Sequence, residues 1–159
     1  MSLVDTHTLS GSALDWAVAK CEGYSLTTDG ISKLVEKGSN MLILGHATCL
    51  GEPCGYSPST RWDQGGPIII ERGISFIRCD NDYAKDVQGF TTPEVIPVWA
   101  ATKGQHSWTE STEHQGHDPM YQIYTSEVIY GSSPLIASMR CYVASKLGNK
   151  VDIPSSLIA

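Results

Sequence analysis

At 159 residues the chain is long enough to bury a sizeable hydrophobic core, and its length fits one domain over 1–159. A net charge of −6 without any block of Lys or Arg excludes a protein that tracks nucleic-acid phosphates, which needs a basic patch. The same charge permits a basic protein partner, or a small ligand held by local charges. Apolar clusters recur along the chain, which excludes wholesale disorder, and no apolar run approaches the length of about eighteen residues that a membrane span needs.

In chain order, the opening "MSLVDTHTLSGS" lacks a basic stretch followed by an apolar one, so no export signal is expected. "SGSALDWAVAKCEG" predicts a helix over about Ser12–Glu22. Ser12 is its candidate cap, Leu14, Ala17, Val18 and Cys21 recur at helical spacing, and Gly23 is the stop. "NMLILGHATC" is a short apolar run bounded by turn residues and reads as a strand. "GISFIRC" alternates and reads as another, with Ile74, Phe76 and Arg78 on one face. "EVIPVWAAT" and "MYQIYTSEVIY" are rich in β-branched and aromatic residues, and Pro97 places its strand at an edge or at a strand start. "SSPLIASMRCYVASKLGNK" predicts the final helix, over Pro134–Leu147. Ser133 caps it, Pro134 takes the first position and Gly148 ends it. Exposed loops are expected over 79–92 and 102–119, which are heavy in Asp, Gly, Gln and His.

Helices at both ends with strands between predict an α+β domain, one mainly antiparallel sheet covered by helices. Leu14, Val18, Leu135, Met139 and Val143 are the expected core-facing residues. The five cysteines, Cys21, Cys49, Cys54, Cys79 and Cys141, are odd in number and follow no export signal, so free thiols in a reducing cytoplasm are expected.

The stretch "GYSPSTRWDQGGP", Gly55–Pro67, carries the residues best suited to a ligand. Arg61 offers a planar fork for phosphate or carboxylate. Tyr56 and Trp62 offer stacking faces. Gly65 and Gly66 let backbone amides approach an anion. Ser57, Ser59, Thr60, Asp63 and Gln64 supply further polar contacts. These ten residues form the candidate ligand-binding set. The competing reading is structural: Ser57-Pro58-Ser59-Thr60 starts a turn or caps a helix, and Gly66-Pro67 breaks the chain direction.

Other constellations are weaker. His106, His114 and His117 stand with Glu110, Glu113 and Asp118, but without a Cys pair or a helical His-Glu-x-x-His they read as a solvated loop rather than a zinc site. His46 with Cys49 and Cys54 would make a thiolate pair only if the strand turned there, and no third orienting group is evident. Asp80-Asn81-Asp82 reads as a turn, and Glu71-Arg72 suggests no chemistry. No cofactor, metal or catalytic residue is expected.

Three blocks, "GSALDWAVAKCEG", "GYSPSTRWDQGGPIIIERGI" and "PLIASMRCYVASKLGNKVDIP", resemble the NinX-like accessory proteins of tailed phages and prophages over about half of the chain. The middle block is the most specific. The stretch from Lys103 to Asp118 is longer than the family pattern. The resemblance implies a phage protein acting in the host bacterial cytoplasm, with kinship to small phage α/β/α-sandwich domains, and it carries no catalytic residue onto this chain. The expected function is therefore binding: a nucleotide-type small molecule such as a host defence signal, on the Tyr56–Gly66 set. The alternatives are an acidic module that inhibits or decoys a host protein, and an enzyme of undefined chemistry. No contact with nucleic acid or membrane is expected, and a ligand sponge admits a homo-oligomer.

Overall fold

The computed structural model describes residues 2–28, 33–45, 48–49, 52–79, 98–103, 108–110, 121–123 and 128–158. The chain begins with β1 (Ser2–Asp5) and enters α1 (Gly11–Cys21) after a short 3-10 turn. Ser10, in extended conformation, is the N-cap of α1, so Ser12 lies inside the helix instead of capping it; Gly11 absorbs the entry bend at φ 51°. Gly23 ends the helix as expected, at φ 87°. Ala13 through Ala19 are all buried, including Asp15 and Trp16, so α1 is surrounded and not merely striped on one face.

A meander follows: β2 (Ser25–Thr28), β3 (Lys33–Lys37) and β4 (Asn40–Ile43), paired antiparallel in the order β2-β3-β4. β5 (Thr48–Cys49) and β6 (Glu52–Pro53) form a small antiparallel hairpin. α2 (Trp62–Arg72) leads through Gly73, at φ 61°, into β7 (Ile74–Cys79). β8 (Val98–Lys103) pairs with β7 on one side and β11 (Ile129–Gly131) on the other. β9 (Trp108–Glu110) pairs with β10 (Tyr121–Ile123). The last helix, α3 (Pro134–Leu147), is capped by the Ser133 side chain, which accepts from the Ile136 amide at 3.1 Å, and it ends at Gly148. β12 (Lys150–Ile153) returns to pair with β1, from Ser2↔Ile153 to Asp5↔Lys150, which brings the two ends of the described chain together.

The fold is α+β, but it differs from one sheet covered by helices. Among the described residues the strands form two three-stranded and three two-stranded antiparallel sheets, with one isolated parallel bridge between Leu44 and Tyr56. They do not form the single layer of an α/β/α sandwich. The strands are two to six residues long. The helices take the central place: α3 packs against α1, α2 and all three strands of the β7–β8–β11 sheet. Leu14, Val18, Leu135, Met139 and Val143 are all buried, as expected. The Arg140 guanidinium adds a polar tie, donating at 2.8 Å to each of the Leu9 and Tyr130 carbonyls.

Other expectations also change. β8 starts at Val98 and lies in the middle of its sheet, which fits the strand-start alternative and not the edge; Pro97 itself lies outside the described residues. The expected loop at 102–119 is cut back: Thr102 is a buried strand residue, Lys103 ends β8, and 108–110 form β9. Cys79 is the last residue of β7 and so is not part of the expected loop. Residues 80–92, 104–107 and 111–119 lie outside the described residues. The run from Met120 to Tyr130 contains two strands belonging to different sheets.

The largest correction is α2. Its sequence holds Gly65, Gly66 and Pro67, each unfavourable in a helix interior, yet the helix runs through them. Packing accounts for Gly65. A Cβ there would lie 2.3 Å from the Pro58 carbonyl oxygen and 2.7 Å from Leu135 Cδ2, so only glycine lets α2 approach both the preceding turn and α3. Pro67 is exposed on the opposite side and lacks the amide that would bond to the carbonyl of exposed Asp63, which water can reach. Ile68 and Ile69 bury the inner face.

Candidate functional site

The Gly55–Pro67 segment is a joint between α1, the β2–β4 meander, α2 and α3. Tyr56 enters it by a two-way backbone exchange: its amide donates to the Ile43 carbonyl at 2.7 Å, and its carbonyl accepts from Gly45 at 2.9 Å. Ser57–Thr60 form a tight turn, in which the Ser57 carbonyl accepts from the Thr60 amide at 3.1 Å and the Arg61 amide at 2.9 Å. The Ser59 amide donates to buried Asp15 Oδ1 of α1 at 2.9 Å. Gln64 reaches back from α2 and brackets the turn: its Oε1 accepts from the Ser57 amide at 2.6 Å, and its Nε2 donates to the Gly55 carbonyl at 2.9 Å. Arg61 donates to the Gly55 carbonyl at 3.3 Å and grips Asp63 through Nε and Nη2, at 3.1 and 2.6 Å. That grip holds the Asp63 carboxyl below the usual carboxylate range.

The ten candidate residues therefore divide by direction. Ser57, Ser59 and Gly65 are buried and present nothing to solvent. The Ser57 and Ser59 hydroxyls are buried and have no hydrogen-bond partner among the described residues. Tyr56 is half-buried, its ring 6.1 Å from that of Tyr24, and burial, with Glu22 and Asp15 nearby, raises its phenol above the ordinary value. Gln64 and Gly66 are half-buried. Thr60, Trp62 and Asp63 are exposed, and Arg61 lies at the margin.

Two residues that the sequence did not nominate complete the exposed side. Trp62 lies 6.0 Å from Phe76 of β7, and Phe76 lies 5.8 Å from Trp99 of β8, edge to face. The three rings make a row across the start of α2 and the adjoining sheet. The β7–β8 register, with Arg78 opposite Trp99 and Phe76 opposite Ala101, puts Phe76 and Trp99 on one face. Alternation in "GISFIRC" gave half of that signal; the link to Trp62 needed α2.

A second polar cluster closes the far end of α2. Arg72 Nη2 donates to both carboxylate oxygens of Glu22, at 2.9 and 3.3 Å, and Tyr142 donates its hydroxyl to Glu22 Oε1. The guanidinium lies 5.4 Å from the Tyr142 ring centroid. Burial, with Glu22 beside it, pushes the Tyr142 phenol up. The cluster ties the ends of α1 and α2 to α3, so Arg72 has a structural task that the sequence did not suggest. Beside it, burial and the Glu22 charge push the Cys21 thiol up to about 12, which makes it a poor nucleophile.

Cys21 and Cys141 are not in disulfides, but Cys54 is disulfide-bonded, which corrects the expectation of five free thiols. Cysteine count addresses the compartment and not local geometry, and here the chain doubles back in the β5–β6 hairpin just before Cys54. His46, Asp80-Asn81-Asp82 and the His106-His114-His117 loop lie outside the described residues. Among the described residues no three His, Cys, Asp or Glu side chains gather to hold a metal, and no helix is long and apolar enough to cross a membrane.

A search of curated proteins returns no match. A family model, described as Bacteriophage P22, NinX, matches residues 5–92, more than half of the chain. The matched span contains α1, the whole joint and α2, and stops before the third block of resemblance, which forms α3 and β12. On that match, the chain belongs to the Bacteriophage P22 NinX family.

Proposed function

We propose that this NinX-family chain acts by binding a host protein in the bacterial cytoplasm, and that the Trp62–Phe76–Trp99 row is its contact face. One observation carries the proposal. Trp62 and Phe76 are exposed with their rings 6.0 Å apart, and the row runs on to half-buried Trp99 at 5.8 Å. Aromatic clusters open to solvent are a common feature of protein contact surfaces. In a chain of net charge −6, the fitting partner is an apolar site with a basic rim. The joint beneath is tied by hydrogen bonds of Gln64 and Asp15, and holding the rings in place before binding lowers the cost of association.

A second reading keeps the site and changes the occupant: a small aromatic anion of nucleotide type, such as a host defence signal, stacked on Trp62 beside Arg61. It is favoured by the exposed position of Trp62 and by the Arg61–Asp63 pair. That pair lies at the surface, where a phosphate could replace Asp63 at little cost.

Trp62→Ala separates contact from folding. Its ring is 53% exposed, so the variant should stay folded with a melting temperature near that of wild type. Affinity for a host protein recovered with the wild-type chain should fall roughly thirtyfold or more, the scale of a central aromatic anchor. Retained affinity in a folded Trp62→Ala, Phe76→Ala double variant would contradict the proposal. Ligand-induced stabilisation by a nucleotide, lost in Arg61→Ala, would favour the second reading.

A further inference from the structure

We propose that the open cleft between α1, β2 and the turn after β12 is a binding site for a small aromatic anion: a flat ring system bearing a carboxylate or phosphate. The cleft holds about 600 Å³, within the span of roughly 300–1,000 Å³ usual for small-molecule sites. It lies outside the Trp62 row, none of whose residues line it. The inference therefore stands apart from the contact face.

The walls are apolar and the charged group is of one sign. Trp16 of α1 backs the cleft, Tyr24 and Leu26 form one side, and Pro154 forms the other. Trp16 is buried at the back, and the half-exposed Tyr24 ring beside a proline and a leucine suits a planar body better than a branched aliphatic one. Lys20 stands one helical turn after Trp16, with its Nζ 5.1 Å from the Trp16 ring centroid. Lys37 sits on the other ring, with its Nζ 5.7 Å from the Tyr24 centroid. No Asp or Glu lines the cleft, and Lys20 makes no ion pair among the described residues, although the chain as a whole is acidic. The Lys20 ammonium is exposed and held only over a ring, so it can turn to an incoming anion while the ring of that ligand occupies the apolar wall. Ser25 and Ser155 are also in the lining, where the Ser155 hydroxyl already lies 3.4 Å from that of Ser2.

The test is calorimetry on the full chain, with adenosine monophosphate and indole-3-acetate as the probes. Adenosine and inorganic phosphate serve as the ring and the charge alone. At least one probe should bind, and both half-ligands should bind at least roughly tenfold more weakly, because each lacks one half of the recognition. Lys20→Ala should weaken the probe by roughly tenfold or more, the scale of one charge-assisted contact. Ser25→Trp, which fills the cleft from its exposed edge, should abolish binding, whereas Trp62→Ala should leave it intact. The proposal is overturned if neither probe binds wild type, if binding survives Ser25→Trp, or if Trp62→Ala removes it. The last result would instead move the ligand to the Trp62 row.

Discussion

Met139→Asp should leave the chain unfolded under native conditions. Met139 is fully buried in the middle of α3, the helix that touches α1, α2 and the β7–β8–β11 sheet. Removing a buried methionine side chain costs about 2–5 kcal/mol, and burying a carboxylate without a partner costs several more. A domain of this kind has a total stability of only about 5–15 kcal/mol. Circular dichroism should show loss of cooperative melting and of helix signal. A variant with the wild-type urea midpoint would show that α3 does not occupy the centre.

The adjacent glycines of α2 should respond very differently to alanine. In Gly65→Ala the new methyl meets the Pro58 carbonyl at 2.3 Å, and that carbonyl is backbone in a turn held on both sides. Ser57 is fixed by Gln64 and Ser59 by Asp15, so the turn has little room to move. Overpacking of this sort costs about 1–3 kcal/mol or more, which for a chain of this size lowers the melting temperature by roughly 5 °C or more. In Gly66→Ala the nearest atom to the new methyl is Trp62 Cε3 at 3.8 Å, an ordinary contact. There the gain in helix propensity, about 0.5–1 kcal/mol, is offset by crowding between the new methyl and the ring of the following Pro67, so stability should change little. Thermal melts of the two variants side by side check the prediction. Equal shifts would mean that α2 does not pack against the turn as described.

The terminal helices were legible because several local signals agreed. Ser133, Pro134 and Gly148 punctuate α3, and the apolar spacing in both helices marks the buried residues. α2 was hidden because Gly65, Gly66 and Pro67 argue locally against a helix, and the reason for Gly65 is a contact with Leu135, far along the chain. β1 and β12 were missed since each is four residues long and its partner lies at the other end of the sequence. For the site, residue types could be read but directions could not. Arg61 and Gln64 looked like ligand donors, yet both reach the Gly55 carbonyl. Asp15 looked like an ordinary polar residue on a helix, yet it is buried and holds the Ser59 amide. Phe76 and Trp99 joined Trp62 only once strand register and helix packing were known. The Trp16–Lys20 pair was hidden within a helix read only for its core stripe.

Amide hydrogen exchange across 55–66 tests most directly whether this segment is a joint with one working face or an open binding loop. The amides of Ser57, Ser59, Thr60 and Arg61 are all hydrogen-bonded, two of them to the side chains of Gln64 and Asp15. Ser57 and Ser59 are among the most buried residues described. Their exchange should be slow, with opening free energies close to that of the α3 core, since releasing them requires separating α1, α2 and the turn. Exchange of Ser57 and Ser59 at the rate of an unstructured chain, beside a protected α3, would contradict the joint and return the segment to a flexible loop.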